Sequence, residues 1–291
     1  MPELLEDKEK DDPVDDSMED SNIQSSVNFS VFNHPMKDWE IVAIPIFAII
    51  VAELLLYMGK LEAGILLHVM IPLGIAISTM WMRESNVTFS LEALAMLPIL
   101  RLVNISMPVF VPTMLYLYVF IYFPLIIPVY FIVRHQKISL KELGFTLDHL
   151  YLYIPIAVVV GYMIGYGEHS IIHAGSLIPD TSALSIFKLS FVMLFFVGLV
   201  EELIFRSLLQ TRLETAFGMT KGLLITSLLF GIMHSGYGQA YELLMTGLAG
   251  LLMGYMFQKT RSLPFIAISH GLVNVFLFGL IPLLGTGLGL F

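Results

Sequence analysis

From residue 41 onward, long apolar runs alternate with short polar breaks. A bilayer's hydrocarbon core of about 30 Å is crossed by roughly 20 apolar residues in an α-helix. Runs near that length fall at 41–58, 63–82, 91–111, 114–133, 150–169, 186–209, 222–235, 241–257 and 264–284. The pattern predicts an all-α, polytopic integral membrane bundle with eight or nine transmembrane helices. The count turns on 91–111, where Glu92, Arg101, Pro98 and Pro108 suit an interfacial or broken helix as well as a span.

Composition excludes the soluble alternative. With 57% hydrophobic residues, 13% charged residues and a mean hydropathy of +0.82, the 291-residue chain lacks the polar surface of a water-soluble domain. Its net charge of −9 is local: the first 40 residues hold 12 acids and 3 lysines, and the other 251 hold 12 acids and 12 bases. The chain therefore divides into an acidic tail (1–40), amino-terminal membrane helices (41–149) and carboxyl-terminal membrane helices (150–291), the last two forming one membrane domain. The stretch MPELLEDKEKDDPVDDSMEDSNIQSS has no apolar face and repels itself, so a disordered, solvated cytosolic extension is expected. It lacks the basic start and short apolar core of a signal peptide. With no cysteine, disulfides, thiol nucleophiles and cysteine-built zinc sites are excluded, which leaves oxygen or imidazole chemistry for any catalysis.

Basic residues set an expected orientation. Arg134, Lys137 and Lys141, then Arg212 and Lys221, then Lys259 and Arg261 mark alternate connections as cytosolic. Connections 170–185 and 236–240 carry no lysine or arginine and fit the opposite side, with Lys60 a lone exception. The tail is then inside the cell. KISLKELGFTLDHL reads as an amphipathic piece on the cytosolic surface.

An ionisable side chain at bilayer depth costs at least about 2.5 kcal/mol on insertion scales, so it persists facing protein or water, usually for function. Glu53, His68 and His169 fall toward segment ends, where snorkelling suffices, and an interfacial helix accounts for Arg101. Three clusters remain: Glu201, Glu202 and Arg206; His234; and His270 with Asn274. Counted from Arg212, Lys221 and Arg261 they lie 11, 13 and 9 residues in, roughly 16, 20 and 14 Å along a helix. Groups that converge on one buried site must agree in depth, and these do. Glu202 and Arg206, four apart with the acid first, share a face and neutralise each other. Glu201 points about 100° away, left without a partner in its own helix and suited to hold and deprotonate water beside a histidine from another. His270 and Asn274, also four apart, could donate hydrogen bonds to an oxyanion. The bland reading of all these residues is as polar clamps between helices.

Glu201, Glu202 and Arg206 in EELIFR, Phe230 and His234 in FGIMH, and His270 and Asn274 in HGLVN occur in order on separate hydrophobic segments. This ordered set resembles the CAAX proteases and bacteriocin-processing enzymes, a family of intramembrane endopeptidases. The resemblance covers roughly 187–284, and the first half of the chain carries no motif of the family. It implies an all-helical membrane protease that uses a glutamate, with no metal and no cofactor. Glu201 would activate water, His234 would assist, and His270 with Asn274 would stabilise the tetrahedral oxyanion. Glu202 and Arg206 would order the site, with Phe230 supporting it. The expected partners are the bilayer and a membrane-associated, lipidated or plain, peptide or protein substrate, not nucleic acid. In eukaryotic members that substrate is a prenylated carboxyl-terminal CAAX peptide. Short connections and the lack of a eukaryotic retention signal favour a prokaryotic chain, multi-pass in the cell membrane, where such a substrate is not expected.

Three other readings compete. A non-catalytic membrane scaffold or immunity protein could keep this fold and act by binding. A zinc enzyme could use His234, His270 and Glu201 as ligands, although no HExxH spacing supports it. A proton-coupled transporter could use buried acids and histidines as a relay, although no internal repeat is visible.

Overall fold

The computed structural model describes residues 30–31, 34–110 and 114–285. The acidic stretch 1–26, expected to be a disordered tail, lies outside the described residues. Among the described residues, nine helices follow a two-residue antiparallel pairing of Ser30–Val31 with His34–Pro35. They are α1 (Asp38–Tyr57), α2 (Leu61–Thr79), α3 (Asn86–Ser106), α4 (Met114–His135), α5 (Leu150–Ile172), α6 (Ala183–Phe217), α7 (Met219–Ile232), α8 (Ala240–Thr260) and α9 (Leu263–Leu284). Eight of these are long and apolar enough to cross a membrane, all but α7. At 14 residues α7 reaches only about 21 Å, and the connection 233–239 completes its half of a hairpin with α8. Large apolar side chains such as Phe47, Leu66, Phe131, Phe187 and Leu248 are exposed around the outside. That is the surface of a multi-pass membrane protein, whose helices meet lipid instead of water.

Helix starts follow local chemistry. Ser85, Ser182 and Ser262 each accept a hydrogen bond from the backbone N–H three residues on, capping α3, α6 and α9, and Pro264 sits in the first turn of α9. Pro124 lies in the turn 123–125 that interrupts α4.

The basic connections gather at one end. Arg212 donates to Gln136 at 2.7 Å, Ser207 to the Leu143 carbonyl at 2.6 Å, and the Leu263 N–H to the Gly144 carbonyl at 2.8 Å. Arg261 pairs with Glu214 at 2.9 Å. KISLKELGFTLDHL is a run of turns pinned onto α6 and α9 by these bonds, with Leu143 buried. Gly144 has φ +85, and a side chain there would meet the Arg261 carbonyl at 2.9 Å, so glycine is required on both counts.

Two expectations for the first half need correction. An interfacial position does not account for Arg101: it is buried in the bundle on α3, a helix long and apolar enough to span, and is paired there with Glu53. Glu53 and His68 do not snorkel, because both are fully buried. Arg101 grips Glu53 with two hydrogen bonds, Nε to Oε1 at 2.7 Å and a terminal nitrogen to Oε2 at 2.8 Å. His68 Nε2 lies 3.2 Å from Glu53 Oε1, and Ser235 donates to Glu53 Oε2 at 2.5 Å. Arg101 also donates to the carbonyl of Met233. Proximity to a helix end was a poor guide because the connection after α7 folds back onto α1 and α3, sealing those ends from water.

Candidate active site

The three motifs sit on α6, at the end of α7, and on α9. Helices α6 and α9 approach backbone to backbone, since a side chain at Gly198 would meet the Ala267 carbonyl at 2.6 Å and one at Gly271 would meet Leu194 Cα at 2.7 Å. Small residues permit such approach between membrane helices, and it brings Glu201 and Glu202 within reach of His270. Around them α6 is unusually wound: Val192–Gly198 and Leu203–Gln210 are π-helical, and only Leu199–Glu202 between them has α winding. Such widened turns are frequent at functional sites because they re-aim side chains without breaking the helix.

Glu202 joins the site together. Its Oε1 accepts a hydrogen bond from His270 Nδ1 at 2.7 Å, and its Oε2 lies 2.9 Å from Arg206 Nε, all three groups being buried. The Arg206 N–H groups do not point at acceptors among the described residues, so charge and not a linear hydrogen bond holds that pair. The Phe230 ring lies 4.9 Å from the guanidinium carbon and covers it. Phe230 also packs edge-on against Phe205 at 4.9 Å and against His270 at 5.8 Å. The motif phenylalanine thus has a physical role as lid on the buried cation.

A carboxylate only accepts hydrogen bonds, so His270 Nδ1 carries the proton it shares with Glu202. Its Nε2 is then directed at Glu201, 3.8 Å from Oε2, a gap that one water oxygen bonded to both would bridge. His234 is fixed by the same logic. Its Nδ1 donates to the Phe230 carbonyl at 2.8 Å, which leaves Nε2 as the free ring nitrogen. Glu201 and His234 line a common cavity of about 270 Å³ together with Tyr118, Tyr122, Arg101 and Tyr237. His270 and Asn274 line a second cavity of about 30 Å³, and His234 and Tyr237 border both. All the residues singled out from the motifs therefore meet in one place, with Glu201, Glu202, Arg206, His270 and Asn274 all buried. Among the described residues no group of three or more His, Cys, Asp or Glu side chains has a metal-holding disposition.

Five contributors were missed or discounted. Tyr122 on α4 donates a hydrogen bond to Glu201 Oε1, so Glu201 has a partner from the first half of the chain. The Glu53–Arg101 pair binds both residues that flank His234, Met233 through its carbonyl and Ser235 through its hydroxyl. Glu168 on α5 and Glu242 on α8 are buried and line the small cavity. The rule that singled out Glu201, an acid inside an apolar run, applies equally to Glu168 and Glu242. Tyr122 had no such signal among so many aromatic residues.

No curated protein and no solved structure matches this chain. Residues 183–276, which carry all three motifs, match the family model described as type II CAAX prenyl endopeptidase, Rce1-like, the family of membrane endopeptidases that those motifs resemble.

Proposed function

We propose that this protein is an intramembrane endopeptidase that hydrolyses a peptide bond of a membrane-associated substrate with a glutamate-activated water. One observation carries the reading: Glu201, buried in a membrane bundle, faces a cavity of about 270 Å³ with His234 on its wall and His270 Nε2 at 3.8 Å. Glu201 takes a proton from a water held between it and His270, and the water oxygen bonds to the substrate carbonyl carbon. The free Nε2 of His234 assists at the same water. Asn274 through its side-chain amide, and His270 through Nε2–H once it carries a second proton balanced by Glu202, stabilise the carbonyl oxygen as it becomes an oxyanion. Tyr122 and Glu202 act one step back, aiming Glu201 and His270. The apolar part of the cavity wall, Leu100, Leu117 and Ile121, suits a lipidated or apolar segment entering from the bilayer. By the positive-inside rule, the clustering of the basic connections at one end supports a cytosolic position for that end and for the amino terminus.

The test is cleavage by reconstituted full-length protein of two membrane-bound peptides, one prenylated near its carboxyl terminus and one not. Glu201→Gln is expected to lower the rate on the true substrate by at least about 10³-fold, within the range general-base loss gives. Cleavage by folded Glu201→Gln at the wild-type rate would sink the proposal. Rescue of a deletion phenotype by that variant would favour a scaffold.

A further inference from the structure

The small cavity behind His234 holds chemistry that water activation does not use. Glu168 and Glu242 reach it from α5 and α8, and Glu242 is 1% exposed with an Oε2 that has no hydrogen-bond partner among the described residues. At about 30 Å³ it has room for about two waters, at roughly 10–15 Å³ each. An orphaned carboxylate oxygen facing a void of that size is a place for ordered water.

The charge balance is unusual. No lysine or arginine lines this cavity. The buried cation nearby, Arg206, is committed to Glu202. The titratable groups facing the two acids are His234 and Tyr237 from the connection after α7 and His270 from α9, with Glu201 beyond them on α6. Two carboxylates on one small cavity without a cation are mutually unfavourable, and such a pair relieves this by taking up one proton, shared through the cavity water. His234 borders both this cavity and the one containing Glu201, and its unbonded nitrogen is the basic one.

Building on the endopeptidase reading, we propose that Glu168 and Glu242 form a proton-sharing pair that supplies the leaving amine through cavity water and His234. Water gives one proton to Glu201 as its oxygen bonds to the carbonyl carbon, whose π electrons move onto the oxygen. When those electrons return, the C–N bond breaks and its electron pair goes to nitrogen. The pair first protonates Nε2 of His234 through cavity water, and the nitrogen takes that proton from Nε2. Glu201 then releases its proton through the larger cavity, and the pair regains one from solvent at the exposed 236–239 connection. One water is consumed, and no proton is gained or lost by the protein. Glu168 and Glu242 touch neither substrate nor Glu201; they are relay residues.

Two measurements on the reconstituted full chain decide this. Infrared difference spectroscopy should show a buried acid C=O band, sensitive to deuteration, that Glu168→Gln and Glu242→Gln each remove and Glu168→Asp retains. Each Gln variant should lower kcat by about tenfold or more with KM little changed, since general acids contribute at least about that much, and should shift the pH profile of kcat. The double variant should be no slower than the slower single one. Absence of the band, or normal kcat and pH profile in both single variants, overturns the relay. If Glu201→Gln also cleaves normally, the endopeptidase reading falls with it; if Glu201 is essential, only the relay falls.

Discussion

Replacing Arg101 with methionine isolates what the first half of the chain does for the site. Methionine keeps an unbranched apolar stem and removes the guanidinium, deleting two hydrogen bonds to Glu53, at 2.7 and 2.8 Å, and one to the Met233 carbonyl. The Glu53 carboxylate is left fully buried with His68 and Ser235 as its remaining partners. Two magnitudes compete. Hydrogen bonds between membrane helices average about 0.6 kcal/mol with a maximum near 1.7, whereas removing one partner of a buried ion pair costs about 3–5 kcal/mol. The larger scale governs here, because the lost partner carries charge, binds both carboxylate oxygens, and leaves its counter-ion out of reach of water. The expected loss is about 3 kcal/mol of unfolding free energy, the low end because Ser235 and His68 stay in place. Reversible unfolding in bicelles measures it, in a double-mutant cycle with Glu53→Gln. The coupling should be about 2 kcal/mol, since the two residues form one unit. Arg101→Met stability within about 0.5 kcal/mol of wild type, or strict additivity with Glu53→Gln, would refute the reasoning.

Other substitutions separate aiming from folding. Tyr122→Phe removes the hydroxyl that donates to Glu201 and should lower kcat by about tenfold, from misplacement of the base, with unfolding changed by about 1 kcal/mol; equal kcat in a steady-state assay would place Tyr122 outside the site. Phe230→Leu strips the ring 4.9 Å from the Arg206 guanidinium and should destabilise by about 2 kcal/mol or more, read in the same unfolding assay. Gly271→Leu forces a side chain against the α6 backbone at 2.7 Å. It should cost about 3 kcal/mol or more and separate His270 from Glu202. Retention of a native melting profile would show that the helices can part cheaply.

Much of this arrangement was legible in the sequence, for reasons specific to membranes. Apolar run length gives helices directly, because lipid leaves the backbone no other partner, and among the described residues each of the nine runs contains a helix. The Glu202–Arg206 pairing followed from a spacing of four, and it survives even though π-helical winding begins immediately after Glu202. What spacing could not show is contact between segments distant in the chain. Glu53 and Arg101 are 48 positions apart, and each alone had a cheap explanation at a helix end or an interface. Only their meeting, sealed by the connection after His234, makes them a buried pair. The His270–Glu202 bond was missed for the same reason: spacing had matched Glu202 with Arg206, while the second carboxylate oxygen was free to take a partner from α9.

The division of labour along the chain follows from these contacts. The stretch 183–276 that matches the family model contains Glu201, His234, His270 and Asn274, yet it does not position them alone. His234 sits at the end of a 14-residue helix, on a connection with little regular structure to hold it. Its neighbours on both sides are tied to Glu53 and Arg101, and Glu201 is tied to Tyr122. On the proposed reading, a general base misplaced by about 1 Å loses on the order of 10²-fold in rate, so these ties matter to turnover through the motif residues they steady. They are also built from residue types, a glutamate, an arginine and a tyrosine, that any helix of the amino-terminal half could supply at matching depth. The segment that carries the motifs is braced at those positions, and the physics constrains where the brace's charges and hydroxyl fall more tightly than which helices deliver them.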